Sequence, residues 1–223
     1  MKSVPYELIK DKMNVFRSEM ENLHLLKHEN LNCLYGISLD SESELCALLW
    51  GYPTKGTLSS IFYDESRPDR LVFSAERKFT ILQQITQGMK YLHSKNILHL
   101  NLTFENIFLD RNYNAKISDY GLLPYIDICN YLHFAPETLS NVYSTKTDVY
   151  AFGVIMSCVL DPRNHPTENR KTFKPDMPVK LQQCAPQWDK LILSCWNKDP
   201  QLRPEFEEIS KQIQMLKGSI VSG

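Results

Sequence analysis

An α+β fold, a small strand-bearing piece followed by a larger helical one, is what three features of this 223-residue chain predict. Two short apolar segments, CLYGISL at 33–39 and ELCALLWGY at 44–52, lie close together near the start. From residue 75 the apolar spacing becomes helical, with Phe79, Leu82, Ile85, Met89 and Leu92 recurring every third or fourth position. Farther on, helical stretches alternate with proline-rich connectors such as DPRNHPTENRKTFKPDMP at 161–178.

In chain order, MNVFRSEMENLHLLKH at 13–28 sets Phe16, Met20 and Leu23 at helical spacing with charges between them, which predicts an amphipathic helix. The two apolar segments then read as strands flanking a turn at Asp40 and Ser41. YDESRPDR at 63–70 is the most polar stretch and reads as a loop. Residues 75–95 form a long helix ending near SKN, followed by three short strand candidates: ILHL at 97–100, IFL at 107–109 and AKIS at 115–118. Helices are expected over 146–160, 187–197 and 204–217. The first is buried on all sides, because Tyr150, Phe152 and Met156 leave VYAFGVIMSCVL no polar face.

Charge and cysteine content exclude several functions. Lys plus Arg (25) nearly balances Asp plus Glu (26), so no overall field marks a nucleic-acid binder. Cys33, Cys46, Cys129, Cys158, Cys184 and Cys195 are scattered without CxxC or close His pairing, against zinc and against a disulfide scaffold. The N-terminus lacks an apolar signal core and the longest apolar run is too short to span a bilayer, so no membrane insertion is expected. A cytoplasmic protein, or the cytoplasmic portion of a larger one, fits best.

HLNLTFEN at 99–106, SDYG at 118–121 and APE at 135–137 follow one another in the order of the catalytic loop, metal loop and activation-segment end of protein kinases. KTDVYAFG at 146–153 and CWNKDPQLRP at 195–204 are similar to later kinase motifs, and the match covers nearly the whole chain. GTLSSIF, GMKYLHS and KISDYGL resemble tyrosine kinases and tyrosine-kinase-like enzymes, and also the kinase-homology domain of receptor guanylyl cyclases. The resemblance implies a bilobal kinase-like fold: a truncated β-rich N-lobe over 1–53 that begins inside the third strand, a helical C-lobe over 54–217 and a tail over 218–223. It also implies that Glu137 pairs with Arg203 and that Asp148 holds the catalytic-loop backbone.

By the same resemblance, Asn101 holds the position of the catalytic aspartate. A neutral amide cannot accept the substrate proton, and losing a positioned base costs about 10²–10⁴-fold, roughly 3–5 kcal/mol. Leu100 and Thr103 stand where many kinases carry arginine and lysine, and neither supplies positive charge. The plainer reading of Asn101 and Thr103 is a polar loop making local hydrogen bonds. Asn106 and Asp119 match the metal-binding positions, against the alternative that Asn106 satisfies loop backbone and Asp119 caps a turn.

The phosphate-holding lysine and helix glutamate fall at Lys2 and Glu19, with Glu21 the second candidate for the acid and Lys10 too close to it to be the lysine. No G-x-G-x-x-G occurs. KGTL at 55–58 resembles the family's G-S-L, and that resemblance implies Trp50 at the gatekeeper position and Pro53 at the hinge residue whose N–H meets adenine, where proline has none. ATP and magnesium binding is therefore expected to be weak or absent. The 13 residues at 122–134 carry Tyr125 and Tyr131 as their only phosphorylatable side chains, and their apolar content suggests packing against the body or a partner. Taken together these residues predict a pseudokinase, a signalling module that docks a protein partner. The alternative is a low-activity ATP-dependent protein kinase acting on Ser/Thr or Tyr.

Overall fold

Strand β3 (Leu45–Trp50) organises the first sheet, because its alternation buries Cys46 and Leu48 while Leu45 and Leu49 face outward. The structure, a computed structural model, describes residues 2–40, 45–64, 73–125, 135–161 and 186–217. Strand β1 (Lys2–Pro5) pairs antiparallel with one edge of β3 and β2 (Leu34–Asp40) with the other, giving the order β1-β3-β2. The β1 register sets Lys2 opposite Leu48 and Val4 opposite Cys46, so Lys2 shares the inward face.

Helix α1 (Met13–His24) buries Phe16, Met20 and Leu23, the three residues its periodicity picks out. It ends four residues before the expected 28. The His24 ring donates from Nδ1 to the Leu34 carbonyl, and the following HEN segment is drawn away by the Ile117 amide, which donates to the Asn30 carbonyl.

A second sheet, β4 (Gly56–Thr57), β5 (Ile107–Leu109) and β6 (Ala115–Ile117), joins the hinge side to the loops that follow. Helix α2 (Leu58–Tyr63), absent from the sequence expectation, starts at a capping box in which Thr57 and Ser60 bond each other's backbone. Helix α3 (Ala75–Ser94) matches the expected 75–95 and starts at the Ser74 cap. Gln83 and Gln87 tie it to Ser210 of α6 (Phe206–Met215).

Helix α4 (Thr145–Leu160) is the core of the helical part, buried at every position from Thr147 to Leu160. Helix α5 (Pro186–Cys195) leads to Trp196, which crosses α4 so closely that a Cβ on Gly153 would lie 2.8 Å from the indole ring. The whole is α+β, a small β-sheet lobe on a mostly helical remainder. Among the described residues no helix is long and apolar enough to cross a membrane. Cys33, Cys46, Cys158 and Cys195 are free thiols.

ILHL is not a strand. Leu100 has φ = 58°, and the carboxylate of Asp148 takes the amides of His99 and Leu100, so this backbone has no ladder to join. The turn residue Ser41, the polar loop beyond Asp64, residues 126–134 with Cys129 and Tyr131, the connector after Asp161 with Cys184, and the tail at 218–223 lie outside the described residues.

Candidate active site

Catalytic-loop geometry begins with Asp148, which is 1% exposed near the start of α4. Its Oδ1 accepts the Leu100 amide at 2.7 Å, and its Oδ2 accepts the His99 amide and His93 Nε2, both at 2.9 Å. These bonds hold Leu100 in the left-handed region, which costs a branched side chain roughly 1–2 kcal/mol. His99 is fully buried, and burial pushes its pKa down, so the ring is neutral and its Nδ1 accepts the Asn101 amide.

Asn101 and Asn106 meet directly, Asn106 Nδ2 donating to the Asn101 carbonyl at 2.8 Å. The Asn106 carbonyl in turn accepts the Ser118 amide, which brings in Asp119. Asp119 is only 8% exposed and sits at φ = 59°, with Lys2 Nζ 3.5 Å from its Oδ2. Asn101 makes its local bonds through its backbone. Its side-chain amide has no partner among the described residues, while Thr103 makes its local bond through its carbonyl, which accepts the Asn106 amide. The small hollow beside it is lined by Leu100, Leu102, Thr103, Thr147, Asp148 and Ala151.

The expected Lys2–Glu19 pair is not formed. Lys2 faces Asp119, while the Glu19 carboxylate accepts the hydroxyl of Tyr125. Tyr125 follows the metal loop in a short 3₁₀ turn and is 1% exposed. Its ring meets Phe16 edge-on at 4.8 Å and lies under Lys12 Nζ at 5.0 Å. Burial and the neighbouring Glu19 carboxylate push the phenol pKa well up, so the hydroxyl stays a donor. In the sequence Tyr125 stands out only as a phosphorylatable residue; a contact spanning 106 positions leaves no local pattern.

The hinge is closed upon itself. Trp50 meets the Tyr120 ring edge-on at 5.1 Å, and its buried indole N–H has no hydrogen-bond partner among the described residues. The Gly51 amide donates to the Cys33 carbonyl, the Lys55 amide to the Leu109 carbonyl, and the Pro53 carbonyl accepts from Gly56. Asn32, which the sequence reading passed over, bridges hinge and metal loop: its Nδ2 donates to the Gly51 carbonyl at 2.9 Å and to Ser118 Oγ at 3.1 Å. Its backbone carbonyl accepts the Tyr120 hydroxyl at 2.9 Å.

Asn106 and Asp119 provide an amide oxygen and one carboxylate, a donor set that suits magnesium completed by phosphate and water. Lys2 competes with any such cation for Asp119. Among the described residues no group of three or more His, Cys, Asp or Glu could hold a metal.

The family model described as protein tyrosine and serine/threonine kinase matches residues 1–213. A probable serine/threonine-protein kinase of Dictyostelium discoideum is 31% identical over 89% of this chain and 16% of its own length. Protein-tyrosine kinase 6 of Homo sapiens is 30% identical over 89% of this chain and 47% of its own. A receptor-type guanylate cyclase of Caenorhabditis elegans is 25% identical over 92% of this chain and 24% of its own. The chain thus spans less than half the length of each of these relatives.

Proposed function

Because this chain belongs to the protein tyrosine and serine/threonine kinase family, we propose that it is a pseudokinase, a kinase fold used in the cytoplasm as a protein-docking or allosteric signalling module. Asn101 carries the reading: phosphoryl transfer is mostly positioning and charge neutralisation, but the substrate hydroxyl still needs an acceptor for its proton, and an amide is not one. Leu100 and Thr103 add no positive charge, and Glu19 is held by Tyr125 instead of orienting Lys2. Pro53 offers the hinge no donor. The intact frame around Asp148, Asn106 and Asp119 is what a slow kinase would also need, and it supports the alternative reading.

A titration of thermal stability with ATP and magnesium separates the two readings. A ligand at 100 times its Kd stabilises the folded state by about 2.7 kcal/mol. The pseudokinase reading expects little shift at millimolar ATP with magnesium. A clear magnesium-dependent rise in Tm favours the slow kinase instead.

A further inference from the structure

We infer that Asn32 is a specificity-determining residue that closes the hinge of this cleft to the amine edge of adenine. The inference rests on the reading above that nucleotide binding is weak, and it assigns the cause to one side chain. Adenine offers an exocyclic amine that donates and a ring nitrogen that accepts, side by side. A protein backbone matches that edge with a carbonyl and an N–H. In residues 51–55 the N–H side is already depleted, since Pro53 has none and the Gly51 and Lys55 amides are spent on Cys33 and Leu109.

The carbonyl side is taken by Asn32. Its Nδ2 donates to the Gly51 carbonyl at 2.9 Å, the bond that the amine of a base entering beside Trp50 would make. The side chain cannot easily swing away. Asn32 is 6% exposed, the same Nδ2 is held by Ser118 Oγ at 3.1 Å, and its backbone is fixed by Ile117 on one side and the Tyr120 hydroxyl on the other. A Cβ on Gly51 would lie 2.5 Å from Asn32 Oδ1, so the amide and the hinge peptide are packed as a unit. Displacing Asn32 would leave its buried amide without its two acceptors and the Ser118 hydroxyl with only its bond to Asp119, a cost that an incoming base must meet before gaining its own hydrogen bond.

Asn32→Val tests this, because it removes the amide while the residue-32 backbone still bonds Ile117 and Tyr120; Asn32→Ala is the second variant should the β-branch not fit. Binding of ATP and of inosine triphosphate, each with magnesium, is measured on wild type and variants by calorimetry. Inosine carries an oxygen in place of the amine, so a freed Gly51 carbonyl gives it nothing. The expected result is about three- to tenfold tighter ATP binding by the variants, the value of one hydrogen bond in a partly dry site, with inosine triphosphate unchanged. Equal gains for both nucleotides, no gain for ATP, or no detectable ATP binding by either folded variant would overturn the inference. Phosphate transfer by the wild type would instead defeat the pseudokinase reading, whatever the ratio of the two nucleotides.

Discussion

Arg203→Ala is expected to lower the unfolding free energy by about 3–5 kcal/mol, the cost of leaving a largely buried carboxylate, its side chain 10% exposed, without its cation. Arg203 is 2% exposed and makes a two-pronged contact with Glu137, Nη1 to Oε1 at 2.6 Å and Nη2 to Oε2 at 2.8 Å. It also donates to the carbonyls of Asn197 and Lys146, and its guanidinium lies 5.0 Å from the centre of the Tyr150 ring. Four of the five N–H donors of the fork are thereby used, which lysine cannot reproduce, so Arg203→Lys should recover only part of the loss. Pairing Arg203→Ala with Glu137→Ala should cost less than the two single changes added together, because the stranded charge is gone. Urea denaturation of the four proteins measures the cycle, and strict additivity would show that the pair contributes nothing as a pair.

Asp148→Ala should cost a similar amount by another route. Its carboxylate satisfies the amides of His99 and Leu100, and the former is wholly buried. Each unpaired buried amide costs about 1–3 kcal/mol, and His93 loses its acceptor as well. The left-handed backbone of Leu100 then has nothing to hold it. The expected outcome is a loss of about 3–5 kcal/mol together with much faster hydrogen exchange at residues 99–101 than in α3. A variant that melts like wild type, with those amides still protected, would contradict this assignment.

Elements whose own residues specify them were legible in the sequence. Helices α1, α3 and α4 are marked by apolar spacing or by unbroken hydrophobicity, and the motif order picks out segments around Asn101, Asn106 and Ser118 that the fold joins by hydrogen bonds. The misses share a physical cause, in that a distant group overrode a local pattern. ILHL has the composition of a strand, but Asp148, 48 and 49 positions away, claims its amides. Lys2 and Glu19 suit one another, but Tyr125 claimed the acid and Asp119 the ammonium. Helix α2 is different: TLSS at 57–60 carries a capping signal, with serine where glutamate or glutamine usually marks the box, so a local cue was present and weak. Asn32 gave no cue at all, since a single polar residue between Leu31 and Cys33 reads as loop until its two acceptors are seen.

Transfer of radiolabelled phosphate from ATP to a peptide, by purified wild-type protein and by Asn101→Asp, decides whether this cleft has lost phosphotransfer. Wild-type turnover is expected to lie at least about 100-fold below the 1–100 s⁻¹ of working kinases. Asn101→Asp is expected to stay far short of that range as well, because Pro53, Asn32 and the Tyr125 contact with Glu19 remain. Wild-type incorporation at a working rate would overturn the pseudokinase assignment.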